Sequence, residues 1–191
     1  MSQIALFHSV LGVRPGMLDA ADRLRAAGHA VEVVDQYDGR VFDEYEEASA
    51  FAEGIGYPAL MQRALAEVEH VPDRFIAAGF SNGGGMAEFV AGNRSVSGVL
   101  MLSGALPMSM LGLPGWPEGV PAQIHYTVDD PFRRQEGIDE LAESIEAARA
   151  TLERFDYPGA GHLFTDATLP QEYDAVSAAL LWERVLGFCA R

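Results

Sequence analysis

Short apolar runs of strand length alternate with amphipathic helical patterns along the whole chain, and this alternation leaves few folds open. Runs that are apolar on both faces cannot border water. They belong inside a mostly parallel sheet covered by helices on both sides. "IALFHS" (Ile4–Ser9) reads as the first strand, and a helix opening at Pro15 carries Met17, Leu18, Ala21 and Leu24 on one face before Gly28 closes it. "AVEVVD" (Ala30–Asp35) is the second strand. An acidic segment, Asp43–Glu53, leads past Pro58 into a helix whose Met61, Leu65 and Val68 share a face. "RFIAAGF" is the third strand, ending at Ser81, and Asn82–Val90 the helix after it. "GVLMLSG", "QIHYTV" and "LERFDYP" supply three more strands, with a helix on Ile138, Leu141 and Ile145 between the last two. A final helix carries Val176, Ala179, Leu180, Trp182, Val185 and Leu186. No linker or repeat interrupts the series, so 191 residues are expected to form one domain.

Charge narrows the partners. The net charge is −15 and all 13 basic residues are Arg. Such a chain is poorly suited to phosphate backbones or anionic membrane surfaces, so neither nucleic acid nor membrane is an expected partner. Without Lys, neither a Walker-type phosphate loop nor Schiff-base chemistry is available. The acidic runs, including Asp43–Glu47 and Glu136–Glu146, read as solvated helix faces. The lone Cys189 has no disulfide partner and reads as a packing residue on the last helix. The N-terminus lacks a signal-peptide pattern and no apolar run is long enough to span a bilayer, so a soluble, reducing, cytoplasmic setting is expected.

Gly79-Phe80-Ser81-Asn82-Gly83 lies where the third strand runs into a helix. A sharp strand-to-helix turn strains the residue at its apex, and glycines on either side remove the collisions the turn would cause. Ser81 would then stand at a helix N-terminus, where the dipole and free N–H groups favour developing negative charge. The other readings are a phosphate cradle, which lacks the G-x-G-x-x-G spacing and follows the wrong strand, and a plain packing turn. A serine nucleophile needs a base. Among five histidines, His29 and His70 sit at element ends, His125 lies within a strand, and His8 beside a strand has little freedom. His162 follows the sixth strand in "YPGAGHLF", where Pro158, Gly159 and Gly161 can turn an imidazole back over the strand ends. The base in turn needs an acid, which α/β-hydrolases place between Ser and His in chain order. Asp129 and Asp130 both stand at the end of the fifth strand in "TVDDPF", Pro131 fixing the backbone after Asp130, and Asp166 is a third candidate.

"FHSVLGVRPG", "DQYDGR", "GFSNGGG", "IHYTVDDPF" and "YPGAGHLF", in this order, resemble the dienelactone hydrolase family of α/β-hydrolases. The similarity covers nearly the whole chain. It implies a three-layer α/β-hydrolase fold with minimal or no lid, about six strands in the order 2-1-3-4-5-6. It also implies a nucleophile at Ser81, an acid at Asp130, a base at His162, and an oxyanion hole made of the Val10 and Asn82 backbone N–H groups. The best-known members carry a cysteine nucleophile and a Glu after the residue matching His8. Here Ser81 and Ser9 occupy those places, which turns the expectation from dienelactone toward an ordinary serine triad. The implied activity is metal-independent hydrolysis of small esters, lactones or thioesters; a small-molecule substrate, no cofactor, and a monomer or homodimer are expected. The alternative reading is a catalytically silent ligand-binding or scaffold protein of the same fold. The apolar segment Ala105–Gly119, broken by Pro107, Pro114 and Pro117, is too interrupted for a helical lid. It could pack on the body or line an acyl pocket, and acyl groups of roughly two to six carbons are expected.

Overall fold

The computed structural model describes all residues, Met1–Arg191, and its sheet starts from the short strand β1 (Gln3–Phe7), one strand in from an edge, whose residues after Gln3 are buried. β2 (Ala30–Val34) pairs on one side of it and β3 (Phe75–Phe80) on the other, Phe7 facing Val34 and Gly79. β4 (Val96–Leu102), β5 (Ala122–Thr127) and β6 (Leu152–Tyr157) extend the sheet in the order β2-β1-β3-β4-β5-β6, all pairs parallel. Every residue of β3 and β5 is buried; β3 accordingly reads as an unbroken apolar run, while the alternate polar residues of β5, Gln123, His125 and Thr127, are buried with hydrogen-bond partners. The edge strand β6, half open to water, alternates instead.

Right-handed crossovers assign the helices to faces. The chain steps one way from β1 to β2 and the other way from there on. That reversal puts α1 (Pro15–Ala26) on one face and α3 (Tyr57–Glu67), α4 (Asn82–Ala91) and α5 (Gln135–Ala147) on the other. The closing helix α6 (Ala175–Cys189) returns to the α1 face, where the Arg23 guanidinium lies 5.9 Å from the Trp182 ring. One continuous apolar cluster fills both layers. No helix is long and apolar enough to cross a membrane.

Two helix faces are rotated from the sequence expectation. α1 buries Met17, Ala20, Ala21 and Leu24, while Leu18 is 46% exposed. α6 buries Ser177, Ala178, Leu181, Trp182 and Val185, leaving Val176 and Leu180 in solvent. Both helices are rich in Ala, which fits either side, so the apolar stripe is broader in sequence than the face that packs. Cys189, the last residue of α6, is buried, and burial pushes its thiol up to about 12. The acidic segment holds a helix of its own, α2 (Tyr45–Ile55), separated from α3 by Gly56 at φ +91. That left-handed turn, open to glycine at no steric cost, lets two helices meet at an angle where a longer single one would run past the sheet.

Candidate active site

Everything that positions the site follows from the turn between β3 and α4. Ser81 has φ +52 and ψ −117, a conformation a side-chain-bearing residue adopts only when its surroundings impose it. They do. The Ser81 amide donates to the Leu102 carbonyl at 2.8 Å, and the Ser81 carbonyl accepts from the Gly84 amide at 2.8 Å. A Cβ on Gly79 would overlap the Gly83 carbonyl, and one on Gly83 would overlap the Phe7 and His8 carbonyls. The glycines therefore close the turn and bring it against the loop after β1. Val10 and Asn82 both line the cavity there. The Val10 amide donates to no protein acceptor, and the Asn82 amide, first in α4, has no intrahelical one.

The structure brings Ser81, His162 and Asp130 into one hydrogen-bonded chain. His162 Nε2 lies 2.7 Å from Ser81 Oγ, and His162 Nδ1 lies 2.8 Å from Asp130 Oδ2. The Phe132 amide donates to the other carboxylate oxygen, Asp130 Oδ1, at 2.8 Å. The His162 and Asp130 side chains are 3% and 0% exposed, so this chain is shielded from water except at the serine end. With a carboxylate accepting at Nδ1, the neutral ring carries its proton there and Nε2 is free to accept from the serine hydroxyl. Such an arrangement can raise the nucleophilicity of Ser81 and hold the imidazolium that results.

Geometry separates the three candidate acids. Asp129 points to solvent, and only its backbone amide is engaged, with the Gly159 carbonyl at 3.1 Å. Asp166 is buried away from the imidazole, where Oδ1 accepts from the Thr168 amide and hydroxyl at 2.8 and 2.6 Å and the carboxyl group packs on Gly16. The other histidines are structural or peripheral. His8 accepts the Gln36 amide at Nε2, 3.1 Å, and burial lowers its pKa. His125 is held between the Tyr157 hydroxyl and the Gln123 side chain, and burial, reinforced by the Arg184 charge, lowers its pKa to about 3. His70 is exposed, and His29 accepts from the Ser2 amide.

Ser81 opens into a half-open cavity of about 560 Å³. One wall is the segment after β4. Its Met108–Leu111 stretch forms a single 3-10 turn, Met108 and Trp116 pack into the core, and Leu106, Met110 and Leu111 face the cavity. Both readings of this segment therefore hold, for different residues. A second wall differs from the sequence expectation: Tyr45 and Ser49 of α2, with Tyr57 and Met61 of α3, line the cavity, so part of the acidic segment is a pocket wall and not a solvated face. The acidic residues Glu46, Glu47 and Glu53 do point to water. The signal was a spacing of four residues, Tyr45 to Ser49 and Tyr57 to Met61, which puts each pair on one side of its helix. Arg134 is the one cationic residue of the lining, and no carboxylate shares it.

A parallel sheet whose strand order reverses beside a strained serine turn, with an imidazole and a carboxylate delivered by later strand ends, defines the α/β-hydrolase class. The chain belongs to the dienelactone hydrolase family, whose sequence pattern matches residues 2–191. Solved structures agree in fold. A dienelactone hydrolase-like promiscuous phosphotriesterase from metagenomic libraries superposes with a TM-score of 0.82 at 20% identity, over 100% of this chain and 86% of that one. The dienelactone hydrolase of Anabaena variabilis gives 0.64 at 23% identity, over 95% and 84%. Mouse alpha/beta hydrolase domain-containing protein 10 gives 0.69 at 12% identity, over 96% and 87%. None of the curated proteins matches the sequence.

Proposed function

We propose that this protein is a serine hydrolase that cleaves small esters or lactones through an acyl-enzyme, with Ser81 as nucleophile, His162 as base and Asp130 as acid. The observation that carries the reading is the unbroken chain from Asp130 Oδ2 through His162 to Ser81 Oγ, ending in an apolar cavity. As the Ser81 oxygen attacks the substrate carbonyl, its proton passes to His162 Nε2, and Asp130 stabilises the imidazolium. The carbonyl oxygen, now an oxyanion, accepts from the Val10 and Asn82 N–H groups. His162 returns the proton to the leaving alkoxide as the C–O bond breaks. Water, deprotonated by His162, then releases the acid and restores Ser81. Every proton and charge is handled by residues of this chain.

The test is labelling with a fluorophosphonate, which reacts with an activated serine. A single adduct on Ser81, absent in Ser81→Ala together with hydrolysis of p-nitrophenyl esters, is the expected result. An unlabelled Ser81 in folded protein would sink the proposal and leave a ligand-binding role. Acyl length is a second readout. Each CH₂ buried yields about 0.8 kcal/mol while the pocket has room. The wall formed by α2 and α3 puts the optimum toward the upper end of roughly two to six carbons. A kcat/KM still climbing at about ten carbons would show a long channel instead.

A further inference from the structure

His162 sits in a loop, and loops do not hold an imidazole to a fraction of an ångström unaided. Asp130 fixes one ring nitrogen but not the backbone from which the ring hangs. On both sides of the base, that backbone meets the same residue. A Cβ on Gly161 would overlap the Glu172 carbonyl, so the chain before His162 is in close contact with the Glu172 main chain. After the base, the Leu163 amide donates to Glu172 Oε2 at 2.6 Å. A third contact comes from the sheet, where the Thr127 hydroxyl donates to the Gly161 carbonyl at 2.9 Å.

The same carboxylate has a second partner. The Tyr45 hydroxyl bridges Glu172 Oε1 and Oε2 at 2.9 and 3.1 Å, joining the first residue of α2 to a segment 127 residues further along the chain. Burial, followed by the Glu172 charge, raises the Tyr45 phenol above its usual range, so it stays a donor. The Tyr45 ring also packs edge-on to His162, centroids 5.9 Å apart, and lies 5.4 Å from Phe132, which itself lies 4.6 Å from His162.

We propose that Glu172 is a positioning residue for the base His162, and that Tyr45 ties this support to the α2 wall of the substrate cavity. Glu172 touches no reacting atom. It sets the backbone of the His162 loop, and through Tyr45 it makes the cavity wall and the base one body. The proposal rests on His162 being the base, so its test includes a readout that does not depend on turnover.

The experiment compares Glu172→Ala, Glu172→Gln, Tyr45→Phe and the double variant Tyr45→Phe/Glu172→Ala. Each is assayed on p-nitrophenyl acetate and by hydrogen exchange of the peptide containing Leu163. For Glu172→Ala the expected result is a roughly tenfold lower kcat with KM within about twofold, and faster exchange at Leu163. Glu172→Gln, whose amide oxygen still accepts from Leu163, should recover most of the loss. Tyr45→Phe keeps the ring and should cost about threefold, and the double variant should be no worse than Glu172→Ala alone, because both remove one unit. Unchanged exchange in Glu172→Ala, or a kcat within about twofold of wild type, overturns the role of Glu172. Losses that multiply in the double variant overturn the tie through Tyr45. Should Glu172→Ala fail to fold, Glu172→Asp, whose shorter side chain keeps the charge but withdraws the carboxylate from the Leu163 amide, takes its place: unchanged exchange at Leu163 with a kcat within about twofold of wild type would refute the proposal. A wild type that hydrolyses no ester removes the proposed function, while the exchange data still report whether Glu172 holds the loop.

Discussion

Two carboxyl groups are buried on either side of the cavity, and they are handled in opposite ways. Asp130, at the end of β5, has both oxygens engaged, one by the His162 imidazole and one by the Phe132 amide. Glu88 lies on α4, seven residues after Ser81, and is 0% exposed. Its Oε1 accepts the Leu106 amide at 3.0 Å, but Oε2 has no partner. It forms no ion pair with Arg or His, so nothing offsets the cost of burying its charge, and burial pushes its pKa well above the usual carboxylate range. Burial without a counter-charge thus favours the neutral acid at Glu88, which stands behind Leu106 in the cavity wall. Burial of an acid does not mark it as catalytic. What separates the two is the partner: Asp130 faces an imidazole, which can take up a proton, and Glu88 faces only a backbone amide.

The sharpest way to break this contrast is to neutralise each acid. Asp130→Asn should lower kcat by about 10³ to 10⁴, because an amide at this position favours the wrong imidazole tautomer. Glu88→Gln should leave kcat within about threefold. A comparable loss in both would mean that Glu88 also acts on the chemistry. Truncation comes next. Glu88→Ala strips the Leu106 amide of its acceptor and opens a hole, and should cost about 1–3 kcal/mol in denaturant unfolding.

The pH dependence of stability sharpens the contrast further. A carboxyl group whose pKa is higher folded than unfolded binds more protons in the native state. Its contribution is fully present below the ordinary carboxylate range and is lost as pH rises toward the folded pKa. Glu88→Gln cannot ionise, so its Tm relative to wild type should rise as pH increases above the ordinary carboxylate range. A constant difference over that increase would show that Glu88 is not carried as a neutral acid. The smallest effect is expected at Asp129. Its side chain is exposed and makes no contact with His162, so Asp129→Asn should change kcat by less than about twofold.

Much of this site is legible in the sequence because its determinants are local. The glycines around Ser81 act across a few residues of one turn, and the overlaps that a Cβ would cause at Gly79 and Gly83 are the ones that motif predicts. His162 is recognisable from the turn residues on either side of it. The alternation of elements predicts a parallel sheet, the resemblance to a family implies its strand order, and the observed sheet has that order. Element ends are less secure. β1 stops at Phe7, and His8 leaves the sheet to accept the Gln36 amide.

By itself, then, the sequence determined the parallel sheet, the strained serine turn and the pool of residues from which base and acid are drawn. Each of these depends on periodicity or on steric limits between near neighbours. Only the tertiary structure decided which of Asp129 and Asp130 meets the imidazole, a contact across 32 residues. It also turned the uncharged side of an acidic helix into a cavity wall, left Glu88 without a counter-charge, and joined Tyr45 to Glu172. Adjacent aspartates look alike along the chain, and a helix face acquires its role from what packs against it. Such choices are made by the pairing of segments far apart in sequence, which no local pattern encodes.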